Sequence, residues 1–239
     1  RLWWLDGNRK NAEIFGEQAI EVFNDQPSSA AKAMAFSNMS QLKFLFDQSA
    51  ESIVWGEKAI VIAQEVKDDE SLSHAMYNVG SVLMNIQSSK LKGSELLKQS
   101  LEIALKNSFH EHAARAYSNL ASNGMEMKDY AFAKKILDEG IQYCEERDLD
   151  SWRSNMLSVK ATLNLETGDW KNAYNIADKL LENEYQIPAY YISALIVVSL
   201  IKMRTGNDDV LPLLIKAKSM AFETKELQRI IPSLAVMLE

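Results

Sequence analysis

One phrase recurs along this chain at a fixed interval. "AKAMAFSNMSQ" at 31–41, "LSHAMYNVGSV" at 72–82 and "AARAYSNLASN" at 113–123 align on Asn38, Asn78 and Asn119, which lie 40 and then 41 residues apart. Ala35, Ala75 and Ala116 stand three residues before, Met39, Val79 and Leu120 one after, and the small Ser40, Gly80 and Ala121 two after. A period of this length means units that cannot bury their own apolar face and must stack on their neighbours. That single fact constrains the fold more than any local propensity.

Each unit carries a second phrase. "GNRKNAEIFGEQAIEVF" from 7, "DQSAESIVWGEKAIVIA" from 47, "KDYAFAKKILDEGIQYC" from 128 and "GDWKNAYNIADKLLENE" from 168 each open on a turn residue and continue as an amphipathic helix. Three fixed positions hold Ala12, Gly16, Ala19; Ser52, Gly56, Ala59; Gly93, Leu97, Ser100; Ala133, Leu137, Gly140; and Ala173, Ala177, Leu180. Twelve of these fifteen are Ala, Gly or Ser. Spacings of four and three put each trio on one helix face, where small side chains let two helix backbones approach closely. The expectation is an all-α chain: an α-solenoid of antiparallel helix pairs, about thirteen helices in a right-handed superhelix. Glu, Lys, Leu, Ala, Gln and Met are abundant and favour helix, while nine glycines and four prolines are few for an all-β chain.

The units read as a single domain over 1–239, with a partial first repeat at 1–27, fuller ones at 28–67, 68–108, 109–148, 149–186 and 187–223, and a lone helix in 226–239. In the divergent sixth unit "TGNDDVLPLLIKAKSMA" keeps the turn and shifts the register; Pro188 and Pro212 fit the first turns of its two helices. "RLWWLDG" reads as the end of a first helix and "ELQRIIPSLAVMLE" as a first helix with no partner. Uncapped ends of this kind suggest a piece of a longer protein and a chain that can associate with its own copies.

Composition removes several classes. The chain has no apolar run near twenty residues, so no membrane span is expected, and its start lacks an export pattern. Its formal charge of −7 argues against direct grip on nucleic acid. A single cysteine, Cys144, excludes an internal disulfide and fits the cytoplasm.

The phrasing resembles the tetratricopeptide repeat, with "TGDWKNAYNIADKLL" the nearest stretch. The usual unit has about 34 residues; the period here implies roughly one more helical turn per unit. Beyond the generic repeat, "RLWWLDGNRKNAE", "HEHAARAYSNLAS", "GIQYCEERDLDSW" and "ELQRIIPSLA" resemble the repeat region of large bacterial LuxR-family, MalT-like regulators. That resemblance implies a sensor or scaffold arm between an ATPase module and a helix-turn-helix domain. Neither a phosphate loop nor a DNA-reading domain lies in this chain, so ATP hydrolysis and DNA contact do not belong to its residues.

Candidate chemistry is sparse. His110 and His112 are two residues apart, so on a helix they point to nearly opposite faces, and no second cluster completes a zinc set; no metal and no cofactor are expected. Cys144 sits in "IQYCEERD", where acidic neighbours disfavour a thiolate, and reads as a packing residue. Trp3, Trp4, Trp55, Tyr130, Trp152 and Trp170 read as inter-repeat core, and "EVKDDES" (65–71) as a solvated turn. Nothing supplies a convergent acid, base and nucleophile, so no enzyme is expected.

The aligned asparagines carry the binding expectation. Positions −4, −1, 0 and +3 about each share a face: Met34, Ser37, Asn38, Gln41; His74, Tyr77, Asn78, Ser81; Arg115, Ser118, Asn119, Ser122; and, with the asparagine replaced, Asn155, Ser158, Val159, Thr162. In the family the first helices line a concave groove, and such a row can satisfy the N–H and C=O groups of an extended peptide. The alternative is that the amides bond neighbouring repeats and fix the stack. The functional expectation is a non-enzymatic sensor arm that binds a protein, a peptide or a small inducer, or docks the parent's own ATPase and DNA-binding modules. Its rival is a structural scaffold for self-association or domain docking with no separate ligand.

Overall fold

The computed structural model describes residues 9–182, 187–207 and 209–239. Twelve α-helices, and no strand, lie among them: α1 (Arg9–Asn24), α2 (Ala30–Leu45), α3 (Ser49–Val66), α4 (Asp69–Met84), α5 (Lys90–Lys106), α6 (His110–Glu126), α7 (Tyr130–Glu145), α8 (Asp150–Glu166), α9 (Trp170–Leu181), α10 (Pro188–Arg204), α11 (Leu211–Thr224) and α12 (Leu227–Ala235). The helix expected to end within "RLWWLDG", with Trp3 and Trp4, lies outside the described residues. The first eight helices each run 16 to 18 residues, which is the extra length that the 40-residue period requires. No described helix is long and apolar enough to cross a membrane.

The helices are cut to length by short turns, most of them two to five residues long. Lys67, Ser108, Lys128, Asp148, Gly168, Gly206 and Lys225 all adopt positive φ, most of them about 20 residues apart. A left-handed residue turns the chain out of the helix and lets the next N–H reach back five residues. Asp68, Asp129 and Asp169 make that bond to the carbonyls of Ala63, Gly124 and Asn164, at 2.9, 2.9 and 2.8 Å. Their carboxylates then accept from the N–H of Ser71, Phe132 and Asn172 in the following helix. One aspartate thus stops one helix and caps the next. The stretch 65–71 corrects the expectation of a solvated turn. Only Lys67 and Asp68 turn, Asp69 and Glu70 form the acidic first turn of α4, and Ser71 is buried. Acidic residues there suit the positive end of the helix dipole, so the charge run marks a helix start.

Two compact units divide the chain, residues 1–120 and 121–239. In the first, small residues bring backbones into contact. Ser40 and Ser52 each donate to the other's carbonyl at 2.7 Å. Ser73 and Ser100 repeat the arrangement at 2.9 and 2.8 Å. A Cβ added to Gly93 would lie 2.8 Å from the Gly80 carbonyl oxygen and the Met84 nitrogen. Phe36, Ala59 and Ala75 bury together, with Trp55 edge-on to Phe36 at 5.2 Å. The second unit builds its core from Ala161, Leu165, Ala173, Ala177 and Leu180 against Tyr190, Tyr191, Ala194, Leu195 and Val198 of α10. Trp170 packs at the edge of this core. Each fully buried large apolar side chain contributes about 1.5–3 kcal/mol, against about 0–1 kcal/mol for an exposed ion pair. The apolar seams therefore outweigh surface pairs such as Lys160–Asp138 and Arg204–Glu239.

The five expected trios lie on the packed faces; Gly16 and Ala19 are half-buried and the other thirteen residues are buried. The sixth unit's shifted register buries Leu214, Ala217 and Ala221 of α11 instead. Pro188 and Pro212 stand in the first turns of α10 and α11.

Two substitutions test the geometry. Gly93→Ala has no room without moving backbone, and should cost about 1–3 kcal/mol. Lys128→Gly removes the steric cost of a left-handed side chain and should gain about 1 kcal/mol. Chemical denaturation of both variants measures the two signs.

Candidate functional site

The face expected to bind divides into two settings. In the first unit, Ser37, His74 and Asn78 meet inside the stack. Ser37 is fully buried, and His74 and Asn78 nearly so. The Asn78 amide donates to the Ser37 carbonyl at 2.9 Å and to the Ser37 hydroxyl at 3.1 Å. Ser37 Oγ lies 2.7 Å from His74 Nδ1. Asn119 is half-buried and donates at 2.8 Å to Ser81 Oγ, which itself donates to the Tyr77 carbonyl at 2.9 Å. Each amide therefore reaches a serine of the preceding repeat. Asn38 is exposed and Gln41 half-buried. Arg115 is buried with its guanidinium 5.2 Å from the Tyr77 ring centre, and Ser118 is buried beside it on α6.

His110 is exposed, whereas His112 turns inward. The His112 ring stands edge-on to His74 at 5.3 Å, and its Nε2 lies 3.5 Å from Glu70. Among the described residues, no three His, Cys, Asp or Glu side chains gather as a metal site needs. Cys144 is buried on α7.

In the second unit the same helix face opens into a groove of about 250 Å³, lined by Ser122, Met125 and Glu126 of α6, Ser158, Val159, Thr162 and Glu166 of α8, and Ser193 of α10. Ser122, Ser158, Val159 and Thr162 stand at the expected positions. Asn155 is half-buried one turn before, its carbonyl accepting from Ser158 Oγ at 2.7 Å. Thr162 Oγ1 donates to the Ser158 carbonyl at 3.2 Å. Both hydroxyl protons are spent on the helix, so both oxygens present lone pairs. Glu166 Oε2 accepts the Tyr130 hydroxyl at 2.7 Å. That hydrogen bond, then slight desolvation and the carboxylate's charge, hold the Tyr130 phenol above its usual range. A raised phenol keeps its proton through neutral pH. The contribution of this bond is fully present below the unfolded phenol's value and is lost as pH rises through the higher folded one.

The residues missing from the expected set are Met125, Glu126, Glu166 and Ser193. Glu126 and Glu166 follow the aligned positions Asn119 and Val159 by seven residues, which is the same helix face two turns on. Continuing the period along the helix finds them. Ser193 needs the shifted sixth repeat to be registered first.

These features define a fold class, a helical-repeat solenoid of the tetratricopeptide kind, and solved structures share it. The Rap protein complexed with competence and sporulation factor matches with a TM-score of 0.72 at 12% identity, over 94% of this chain and 68% of that one. NprR in complex with its cognate peptide NprX matches at 0.68 and 16%, over 97% and 67%. A signal-transduction ATPase with numerous domains and a tetratricopeptide repeat sensor, from Pyrococcus horikoshii, matches at 0.62 and 14%, over 99% of this chain and 36% of that one. Residues 91–239, more than half of the sequence, match the family model for the cohesin loading factor, and the chain belongs to that family. No curated protein matches it in sequence.

The two asparagine environments give opposite expectations. Asn78→Ala leaves buried Ser37 groups without their donor and should cost about 1–3 kcal/mol. Asn38→Ala, at an exposed site, should change stability by no more than about 0.5 kcal/mol. Urea unfolding of the two variants measures the contrast.

Proposed function

We propose that this chain is a non-enzymatic sensor arm that binds a peptide or protein segment along its first-helix face. The carrying observation is the open groove of the second unit, where Ser122, Ser158, Thr162 and Ser193 set hydroxyls along three successive first helices. An extended segment exposes one backbone N–H and one C=O per residue, and hydroxyl oxygens at helix spacing can accept the former. Asn38 and Gln41 are the corresponding contacts offered by the first unit, while Asn78 and Asn119 hold the stack. The likeness in fold to NprR in complex with its cognate peptide and to the Rap protein complexed with competence and sporulation factor supports the reading.

The parent in this reading is a cytoplasmic, LuxR-family, MalT-like bacterial regulator, with the ATPase and DNA-binding modules supplied by the rest of the protein. The sequence phrases support it, as does the likeness to a repeat sensor attached to a signalling ATPase. A phosphate loop before the repeats and a helix-turn-helix after them are the expected flanking features; sequencing the parent gene on both sides tests this. A second reading, a docking scaffold with no separate ligand, is favoured by the amides of Asn78 and Asn119 being engaged within the stack and by the loading-factor family match.

Panning a displayed peptide library on the chain decides between the two. Selected peptides should bind Ser158→Ala/Thr162→Val several-fold more loosely, since each lost hydrogen bond costs about 1 kcal/mol, with helicity unchanged by circular dichroism. Peptides that bind the variant as tightly as the original chain, or a library that yields none, defeat the groove reading.

A further inference from the structure

The groove of the second unit is rich in hydrogen-bond acceptors. Ser158 and Thr162 have committed their protons to their own helix. Glu126 and Glu166 are acceptors only, and they stand at the ends of α6 and α8 on the same face. None of the eight lining side chains is a cation. The nearby basic residues of α8 are engaged elsewhere: Lys160 lies 2.6 Å from Asp138, and Arg153 pairs with Asp150 and Glu145. Between the carboxylates and the hydroxyls, the half-buried Met125 and Val159 give the groove an apolar floor.

We infer that this groove selects an extended peptide segment carrying an arginine or lysine. The proposal rests on the peptide-binding reading and names the partner's chemistry. A basic side chain matches the site at both of its ends. Its charged head meets the negative charge of the two carboxylates, and its alkyl stem covers Met125 and Val159. The segment's backbone N–H groups fall to the hydroxyl oxygens of Ser158 and Thr162. An acidic segment meets like charge in the groove, so the same geometry that admits a basic segment rejects it. A bare cation uses the carboxylates but leaves the apolar floor and the hydroxyl row uncovered.

The test reads the groove locally. The chain labelled with ¹³C at its methionine methyls is titrated with four pools of capped hexapeptides that differ only in one central residue: arginine, lysine, glutamine or glutamate. The Met125 methyl, assigned by Met125→Leu, should shift with the arginine and lysine pools, and saturate at least ten-fold more tightly than with the glutamine pool. The glutamate pool should leave it unmoved. In Glu126→Gln/Glu166→Gln, which keeps the size of both side chains and the hydrogen bond from Tyr130, the basic pools should fall to the level of the glutamine pool. Raising the salt concentration should weaken the basic pools and spare the glutamine pool.

Equal shifts from the glutamate pool, or basic-pool binding that survives the double variant, overturn the charge selection and leave peptide binding standing. Spermidine that moves Met125 as far as the arginine pool does overturns it in favour of a simple cation site. Peptides that shift only first-unit methyls such as Met34 place the binding elsewhere and overturn it too. If no pool moves any methyl, peptide binding itself fails, and this proposal fails with it.

Discussion

Close approach of helix backbones is the constraint on which the rest of the structure depends. Where Gly80 faces Gly93 there is no space for a methyl group on either side, and the paired serines 40 and 52, and 73 and 100, use their hydroxyls to bond across to the opposite backbone. A larger residue at any of these points separates two helices, and the separation is felt along the full length of both. The small-residue trios are therefore the register marks of the stack. They set how α2 meets α3 and α4 meets α5, and hence which side chains of the first helices meet those of the repeat before.

The asparagine row follows from that register. Asn78 lands on Ser37 and Asn119 on Ser81 because the repeats are held at a spacing that one amide can bridge. A buried amide of this kind stabilises the stack only when its partners are in place. The same face in the second unit has no asparagine at position 159. With valine there, no amide reaches across from that position, and the face is open as a groove with hydroxyl and carboxylate acceptors along it. One repeat pattern thus carries two different surfaces, a closed polar seam at Asn78 and an open acceptor-lined cleft at Val159.

Much of this was legible in the sequence. The 40-residue period, the two helical phrases and the small trios gave the helix pairs, their lengths and the packed faces. The aspartates at 68, 129 and 169 marked turns, although the run at 65–71 read as a longer loop because charge alone does not separate a solvated turn from an acidic helix start. Glu126 and Glu166 lay on a face already identified and needed only the period carried two turns further.

What the sequence by itself determined was therefore the repeating architecture and the chemical character of each helix face, since both are set by local periodicity and by the steric size of residues at fixed spacing. What only the tertiary structure decided was the role of each polar residue on that face. Asn38 and Asn78 share one sequence context, yet one is exposed and the other is buried against the neighbouring repeat. The difference lies in what stands across from each helix, residues some forty positions away, and a contact over that distance is fixed by how the repeats stack rather than by the phrase in which the residue sits.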